Sequence, residues 1–486
     1  MTLLPHPGPS PDPPTGTAAP DALTRPSSPA SADRRPDLSA AGAGVLLYLV
    51  ASVAGALIER YDGTLHVSWA PLLAEWRPHL GPGTVPALLV AALAVAYGPG
   101  LAARLSWRRL VWGSWAVAMA WIWSLALVDG WQRGVADRLT TRHEYLSAVD
   151  RFQDIPATLR DFTHHILMNS PDYWPTHIAG HPPAAVLTFV GLDRIGLGGG
   201  AWASAFCITT GASTAAAVLV TMRALGAERA ARAAAPFLVL APAAVWIGAS
   251  ADGYFAAVAA WALALLTLAA TRTVRAPWAA ASGAGLLLGL AMYLSYGLTL
   301  MAVPAVAVLL IARTARPLPF ALLGFAAVTA VFLLAGFRWW EAYDLLVERY
   351  YQGVARERPY GYWVWANLST LVVTAGLASL AGLGRALRRP SRLRRGRKPG
   401  GDGGTDGGTD GGTDGRFVLL VGAVLLALVI ADLSGMSKAE TERIWLPFAL
   451  WLPALAALLP VRDRRGWLAT GACTALLVNH LLLTNW

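Results

Sequence analysis

Apolar runs of about 20 residues recur along most of the chain, separated by short turns rich in arginine. A helix needs about 20 apolar residues to cross the hydrocarbon core of a bilayer. On that measure spans are expected near 41–58, 84–103, 109–128, 200–223, 232–250, 252–271, 277–295, 297–313, 317–337, 363–384, 416–434, 443–461 and 466–483, about thirteen in all. One long interruption stands out. Between Asp129 and His181 the chain runs polar, with seven carboxylates and five of the nine histidines. A membrane protein has little physical reason to gather ionisable groups in one loop unless that loop binds or does chemistry. Residues 182–197 (PPAAVLTFVGLDRIGL) follow; they are apolar but short and carry Asp193 and Arg194. They are expected to lie at the membrane interface or to be partly re-entrant.

Composition agrees with this pattern. The chain is 55% hydrophobic and 14% charged, with mean hydropathy +0.47, whereas soluble domains carry roughly 25% charged residues. The expected class is an all-α polytopic membrane protein with a long polar loop and juxtamembrane helices. The formal net charge of +10 would suggest nucleic acid in a soluble chain. Here arginine-rich cytosolic turns account for it, and no nucleic-acid partner is expected. The basic clusters at 104–109, 223–232, 272–275, 313–316, 385–398 and 462–465 all fall on one side if the N-terminus is cytosolic. Counting 182–197 as a span would break that agreement. The stretch 129–200 then forms one extracytoplasmic excursion of a multi-pass cell-membrane protein, and 59–83, 248–253, 295–297, 338–362 and 435–442 lie on the same side.

Residues 1–40, rich in Pro, Ser, Asp and Ala, read as a disordered cytosolic tail with no apolar signal core. A transmembrane domain over 41–384 follows. Residues 385–415 begin with eight Arg/Lys and no acid, then turn to GDGGTDGGTDGGTDG, a flexible linker to the C-terminal helices of 416–486. The two cysteines, Cys207 and Cys473, lie in apolar stretches and indicate neither a disulfide framework nor a thiolate metal site.

Four constellations carry candidate chemistry. In Arg142-His143-Glu144-Tyr145, with Asp150 six residues after Glu144, a carboxylate can act as general base on a hydroxyl; a solvated acidic face paired with arginine is the competing reading. In Thr176-His177-Ile178-Ala179-Gly180-His181-Pro182-Pro183, the histidines are spaced for a metal on a helix, but Gly180 and the proline pair argue for a turn entering the short helix. Contact with a lipid phosphate and a plain helix start compete there. In 437–445 (SKAETERIW), Lys438 and Arg443 can clamp an anionic head group, Arg as a fork and Lys as a point charge. The alternative is an interfacial anchor, although Glu440 and Glu442 are unusual company for one. Asp252 sits in a tight turn, where capping the next helix is its default role. Residues 338–362 are amphipathic and aromatic, suited to an acceptor groove or to lying at the interface.

Taken in order, these features resemble the GT-C class of integral-membrane glycosyltransferases that use polyprenyl-phosphate-linked sugars, among them lipid A aminoarabinose transferases and protein O-mannosyltransferases. His143-Glu144-Tyr145 and Asp150 stand where that class has its acidic loop, and His181-Pro182-Pro183 resembles its Pro-Pro element. The turn 223–232, the acidic turn 249–252, the span ending 289–297 and the charged segment 440–445 follow in the same order. The resemblance covers roughly 109–461; two extra spans precede it, and the paired acidic residues of the class are replaced by the separated Glu144 and Asp150.

The resemblance implies inverting transfer of a sugar from a polyprenyl phosphate to an envelope glycan, lipid or protein hydroxyl at the outer face. Glu144 or Asp150 would be the base, and His181, Lys438 and Arg443 would hold the phosphate. His143, Tyr145, His177, Asp252 and Glu442 complete the expected substrate-binding set. No cofactor is required by the sequence; some relatives use a divalent metal, and the histidines and acids here are compatible with one. A flippase or transporter of lipid-linked saccharide is the rival reading; transporters tend to show internal repeats and mid-membrane charge, whereas no obvious repeat is seen here and the spans hold very few ionisable residues at their centres. A non-catalytic membrane scaffold is the third reading.

Overall fold

The computed structural model describes residues 34–388 and 410–484. The chain opens with α1 (Arg35–Tyr61), a loop carrying the short strand β1 (Ala74–Trp76), then α2 (Thr84–Arg104) and α3 (Trp107–Ala126). The polar excursion follows as short turns and 3-10 helix with α4 (Ile155–Asp161), α5 (Thr176–Ala179) and α6 (Ala184–Arg194). Next come α7 (Gly200–Ala224), α8 (Glu228–Val239), α9 (Ala244–Ile247), α10 (Ala251–Thr271), α11 (Pro277–Leu294), α12 (Ala302–Ala312) and α13 (Leu318–Leu334). The remainder is α14 (Trp339–Gln352), α15 (Tyr360–Ser369), α16 (Leu371–Thr374), α17 (Leu377–Arg388), α18 (Asp410–Leu433), α19 (Thr441–Ile444), α20 (Leu446–Ala449), α21 (Arg464–Leu481) and β2 (Leu482–Thr484).

Among the described residues, seven helices are long and apolar enough to cross a membrane, or up to ten if each of three bent pairs is one span. The expected thirteen counted four segments as regular spans that are not. Residues 363–384 break into α15, α16 and α17, with a bend of 111° before the last. Residues 232–250 break into α8 and α9, with Pro236 inside the first helix and Pro242 between the two. Residues 297–313 begin as a 3-10 turn. Residues 443–461 fragment into α19, α20 and a 3-10 turn, with Pro447 and Pro453 near the starts of the last two. Irregular backbone is tolerated at membrane depth only where protein encloses it. That condition holds: every residue from 234 to 250 is buried, and the Ala243 N–H, displaced from helical pairing, donates to the Thr374 carbonyl at 2.8 Å. The segment 182–197 is α6, only 11 residues long, and its Ala185, Val186, Phe189 and Val190 pack into the core.

Three boundaries differ from expectation. The first helix begins at Arg35, because Asp37 in its first turn is buried against Arg385 at 2.6 and 2.8 Å. Helix α17 runs to Arg388 and α18 starts at Asp410; the rest of the basic linker, like residues 1–33, lies outside the described residues.

Helix α10 is the most enclosed span, packed between α7 and α11. Small residues set the close approaches. A Cβ on Gly285 in α11 would stand 1.9 Å from the Ala321 carbonyl oxygen of α13, and one on Gly324 would stand 2.3 Å from that of Ser282. Close backbone contact through small residues is a main source of helix association in lipid.

The ends of the bundle separate by chemistry. At one end the basic turns gather: Arg232 donates to the carbonyls of Ala102 and Leu105 at 3.0 and 2.8 Å, and Arg223 lies over Trp107 at 4.6 Å. At the other end the polar loops meet. Arg358 donates to the carbonyls of Leu65 and Lys438, the Met168 N–H to Gln352, and β1 pairs antiparallel with β2. Asp129 accepts from Arg138 at 2.8 Å and lies 2.7 Å from His79. Gly285→Val is expected to force α11 off α13 and cost about 1–3 kcal/mol; gel filtration after stepwise heating in detergent should show an earlier loss of monodisperse protein.

Candidate functional site

Three separate segments deliver ionisable groups to one buried centre at this polar end. The first is the 3-10 helix Tyr145–Phe152, entered through Glu144 in extended backbone. With three residues per turn, positions three apart eclipse one another, so Tyr145 and Ala148 share the buried face. Glu144 is buried beside them, while Asp150 is exposed and turned away.

The second segment is α5 and the turn after it. The His177 N–H donates to the His143 carbonyl at 3.0 Å, which brings the two motifs together. His177 Nδ1 then lies 2.9 Å from Glu144 Oε1, both side chains buried. His181 Nδ1 lies 2.8 Å from the His177 carbonyl oxygen. A carbonyl only accepts, so Nδ1 carries the proton and Nε2 is left as an acceptor. Burial pushes His181 down to about 4, offset only in part by Asp252, so it is a neutral imidazole at pH 7. His143 stays at the exposed rim, 3.2 Å from Thr176 Oγ1 and accepting from Arg142 Nε at 3.0 Å; burial and Arg142 lower its pKa.

The third is the junction of α10 with α19. Ser250 caps α10 by accepting from the Asp252 N–H at 3.2 Å. Asp252 forms a buried ion pair with Arg443 Nη1, and Arg443 Nη2 reaches Glu440 Oε2 at 3.1 Å. Both loops that make this junction use left-handed backbone without glycine: Ala249 at φ 57°, Ala439 at 73° and Glu440 at 62°. Each such residue costs about 1–2 kcal/mol, and strain of this kind collects at functional sites.

Tyr145 joins the three segments. Its ring stands 5.8 Å from His177 and 5.7 Å from His181, and stacks on Phe189 at 5.4 Å. Its phenol is buried without a hydrogen-bond partner. Burial, then the charges of Asp252 and Glu144, push it well above its ordinary value, with Arg443 opposing.

The remaining expected residues stand at the edge. Lys438 donates to the Ala355 carbonyl at 2.9 Å, inside the protein. Glu442 points away from Arg443 and accepts from the Leu73 N–H at 3.0 Å. Thus Glu144, Tyr145, His177, His181, Asp252 and Arg443 converge, and Asp150, Lys438 and Glu442 do not join them. Glu440 and Ser250 complete the centre. Glu440 was visible only as an oddity in a basic turn, and Ser250 only as a cap two residues before Asp252. Among the described residues, no group of three or more His, Cys, Asp or Glu side chains is placed to hold a metal ion.

The fold and site define a polytopic helical membrane protein with a buried ionisable centre. No protein-family model and no curated protein matches the chain. Among solved structures it is similar to the Archaeoglobus fulgidus oligosaccharyltransferase tethered to an acceptor peptide containing the NVT sequon, at 14% identity and a TM-score of 0.40. That match covers 72% of this chain and 49% of the other, so the chain spans about half the length of that structure.

Removing one partner of a buried ion pair strands the other charge at a cost of about 3–5 kcal/mol. Arg443→Met should therefore destabilise strongly, and Asp252→Asn added to it should recover most of the loss in a thermal-stability assay. Glu442 gives a pH signature. Burial pushes its carboxyl up to about 7 from 4.5, only partly offset by the Leu73 N–H and Arg443. A carboxyl raised on folding holds its proton more tightly in the folded state, so its contribution is full at low pH and lost as pH rises through about 7. Between pH 4.5 and about 7 the wild type should lose stability relative to Glu442→Gln, measured as the difference between their melting curves.

Proposed function

We propose that this chain is a membrane glycosyltransferase that moves a sugar from a polyprenyl-phosphate donor to an acceptor hydroxyl, with inversion, on the extracytoplasmic side. The observation that carries the reading is the convergence of Glu144 with His177, and of Asp252 with Arg443, around Tyr145 and His181.

In this reading Glu144 is the general base. The acceptor oxygen attacks the anomeric carbon as the bond to the lipid phosphate breaks, the phosphate leaves with the bonding electrons, and the proton passes to Glu144. His177, 2.9 Å away, orients the carboxylate. The neutral His181 offers Nε2 to a sugar hydroxyl and does not supply the phosphate charge first expected of it. Arg443 holds Asp252 and Glu440 in place, and the Tyr145 phenol is a donor with a vacant bond to give. A phosphate leaving group needs no general acid.

The test is reconstitution with radiolabelled polyprenyl-phosphate hexose or pentose and extracted envelope acceptors. Glu144→Gln should lower transfer by about 10²-fold or more, while Asp150→Asn leaves it near wild type. Unchanged transfer by Glu144→Gln sinks the base assignment. Movement of labelled lipid between leaflets without any transfer replaces the enzyme with a transporter.

A further inference from the structure

Where α2, α3 and α8 meet, a cavity of about 560 Å³ opens on the flank of the bundle. Leu93, Tyr97, Leu101 and Val117 line it and are exposed there. Of its lining side chains only Tyr97 and Ser114 are polar. Small residues leave the gap: a Cβ added to Gly113 would meet open space, and one added to Gly98 would stand 3.5 Å from Pro236 Cβ. The slot opens on the outer, apolar flank of α2 and α3.

One end of the slot is defined by Leu105 and Leu110, which bracket the turn holding Arg108 and Arg109, with Arg104 just before it. All three arginines are exposed, and no carboxylate pairs with them among the described residues. The nearby acid, Glu228, is taken by Arg223 and Arg232 at 2.9 and 2.8 Å. An apolar slot that ends at three uncompensated guanidinium groups matches an alkyl chain with an anionic head. Arginine is the side chain best shaped to hold a phosphate in two-pronged fashion.

We propose that this slot is a binding site for an anionic glycerophospholipid, one acyl chain lying along Leu93, Tyr97 and Gly113 and the phosphate resting on Arg104, Arg108 and Arg109. It is distinct from the buried ionisable centre. At 1.5 Å per helical residue, Leu110 and Asp129 lie roughly 28 Å apart along α3, so this lipid sits at the opposite end of the span and is not the sugar donor. The inference does not rest on the proposed activity.

The test uses the full chain in nanodiscs of phosphatidylcholine doped with a trace of phosphatidylglycerol or phosphatidylcholine bearing a photoreactive group on one acyl chain. After irradiation, labelled peptides are mapped by mass spectrometry. Phosphatidylglycerol should label residues 90–120 at least about fivefold more than phosphatidylcholine at low salt, and the preference should shrink at high salt. Gly113→Leu should abolish labelling in the slot; if that variant aggregates, Ala94→Leu fills the slot from the opposite wall. The triple substitution Arg104→Gln, Arg108→Gln and Arg109→Gln should keep the labelling but level the two lipids. Equal labelling by both lipids in the wild type, or undiminished labelling in the filled variants, overturns the proposal. So does an unlabelled slot in a chain that light scattering finds dimeric, which would assign the face to a second copy.

Discussion

The buried ion pair between Asp252 and Arg443 is the constraint around which the polar end is built. Two charges taken out of water are costly unless geometry and further hydrogen bonds repay the desolvation. Here Asp252 lies in the first turn of α10, where the helix dipole favours an anion, and Ser250 bonds both its backbone and its side chain. Arg443 gains a second carboxylate from Glu440. Reaching this geometry requires three non-glycine residues to adopt left-handed backbone. Such conformations persist only when the surroundings over-determine them. The pair therefore fixes the entry to α10 and the entry to α19 at once.

Helix packing carries that local constraint outward. Gly211 of α7 and Gly253 of α10 both lie against Ile247, where a Cβ would stand 2.7 and 2.9 Å from its Cγ2. The α7–α10 crossing is thus tight just below the ion pair. The excursion rests on the upper part of α7, with Ser204 Oγ donating to the Val135 carbonyl at 2.7 Å. On the far side, Asn367 donates to Asp432 and to the Ser437 carbonyl, and Arg358 ties Leu65 to Lys438. Loops at this end are thus held by side chains from other segments of the chain.

Much of this was legible in the residues and some was not. The polar stretch 129–181 is conspicuous against its surroundings, and its own groups, Glu144, Tyr145, His177 and His181, form half of the centre. Proximity of His143 to His177 was not legible, because it depends on a backbone hydrogen bond across 34 positions. Glu144 and Asp150 were equal candidates from spacing alone. A 3-10 turn separates them, and only the packing of Tyr145, Ala148 and Phe152 shows which carboxylate turns inward. Hydropathy also overstated the regularity of 232–250 and 443–461. An apolar run specifies burial, but a proline-broken run enclosed by other helices satisfies burial without forming one long helix.

Charge balance narrows what the centre can do. Glu144, Asp252 and Glu440 bring three carboxylates, against which stand Arg443 and, when protonated, His177. Desolvation keeps His181 neutral, and Lys438 is spent on a backbone carbonyl. A cluster with that balance is poorly suited to clamp an anionic phosphate, since each carboxylate repels it in a low dielectric. It is well suited to receive a proton and to hold hydroxyl groups, for which Glu144, the acceptor nitrogen of His181 and the unpaired Tyr145 phenol provide complementary partners. Under the proposed reading the centre is then the acceptor half of the reaction. The donor phosphate would stand further out, toward the exposed Arg142 and His143 at the rim, where solvent screens the carboxylates and an arginine is accessible.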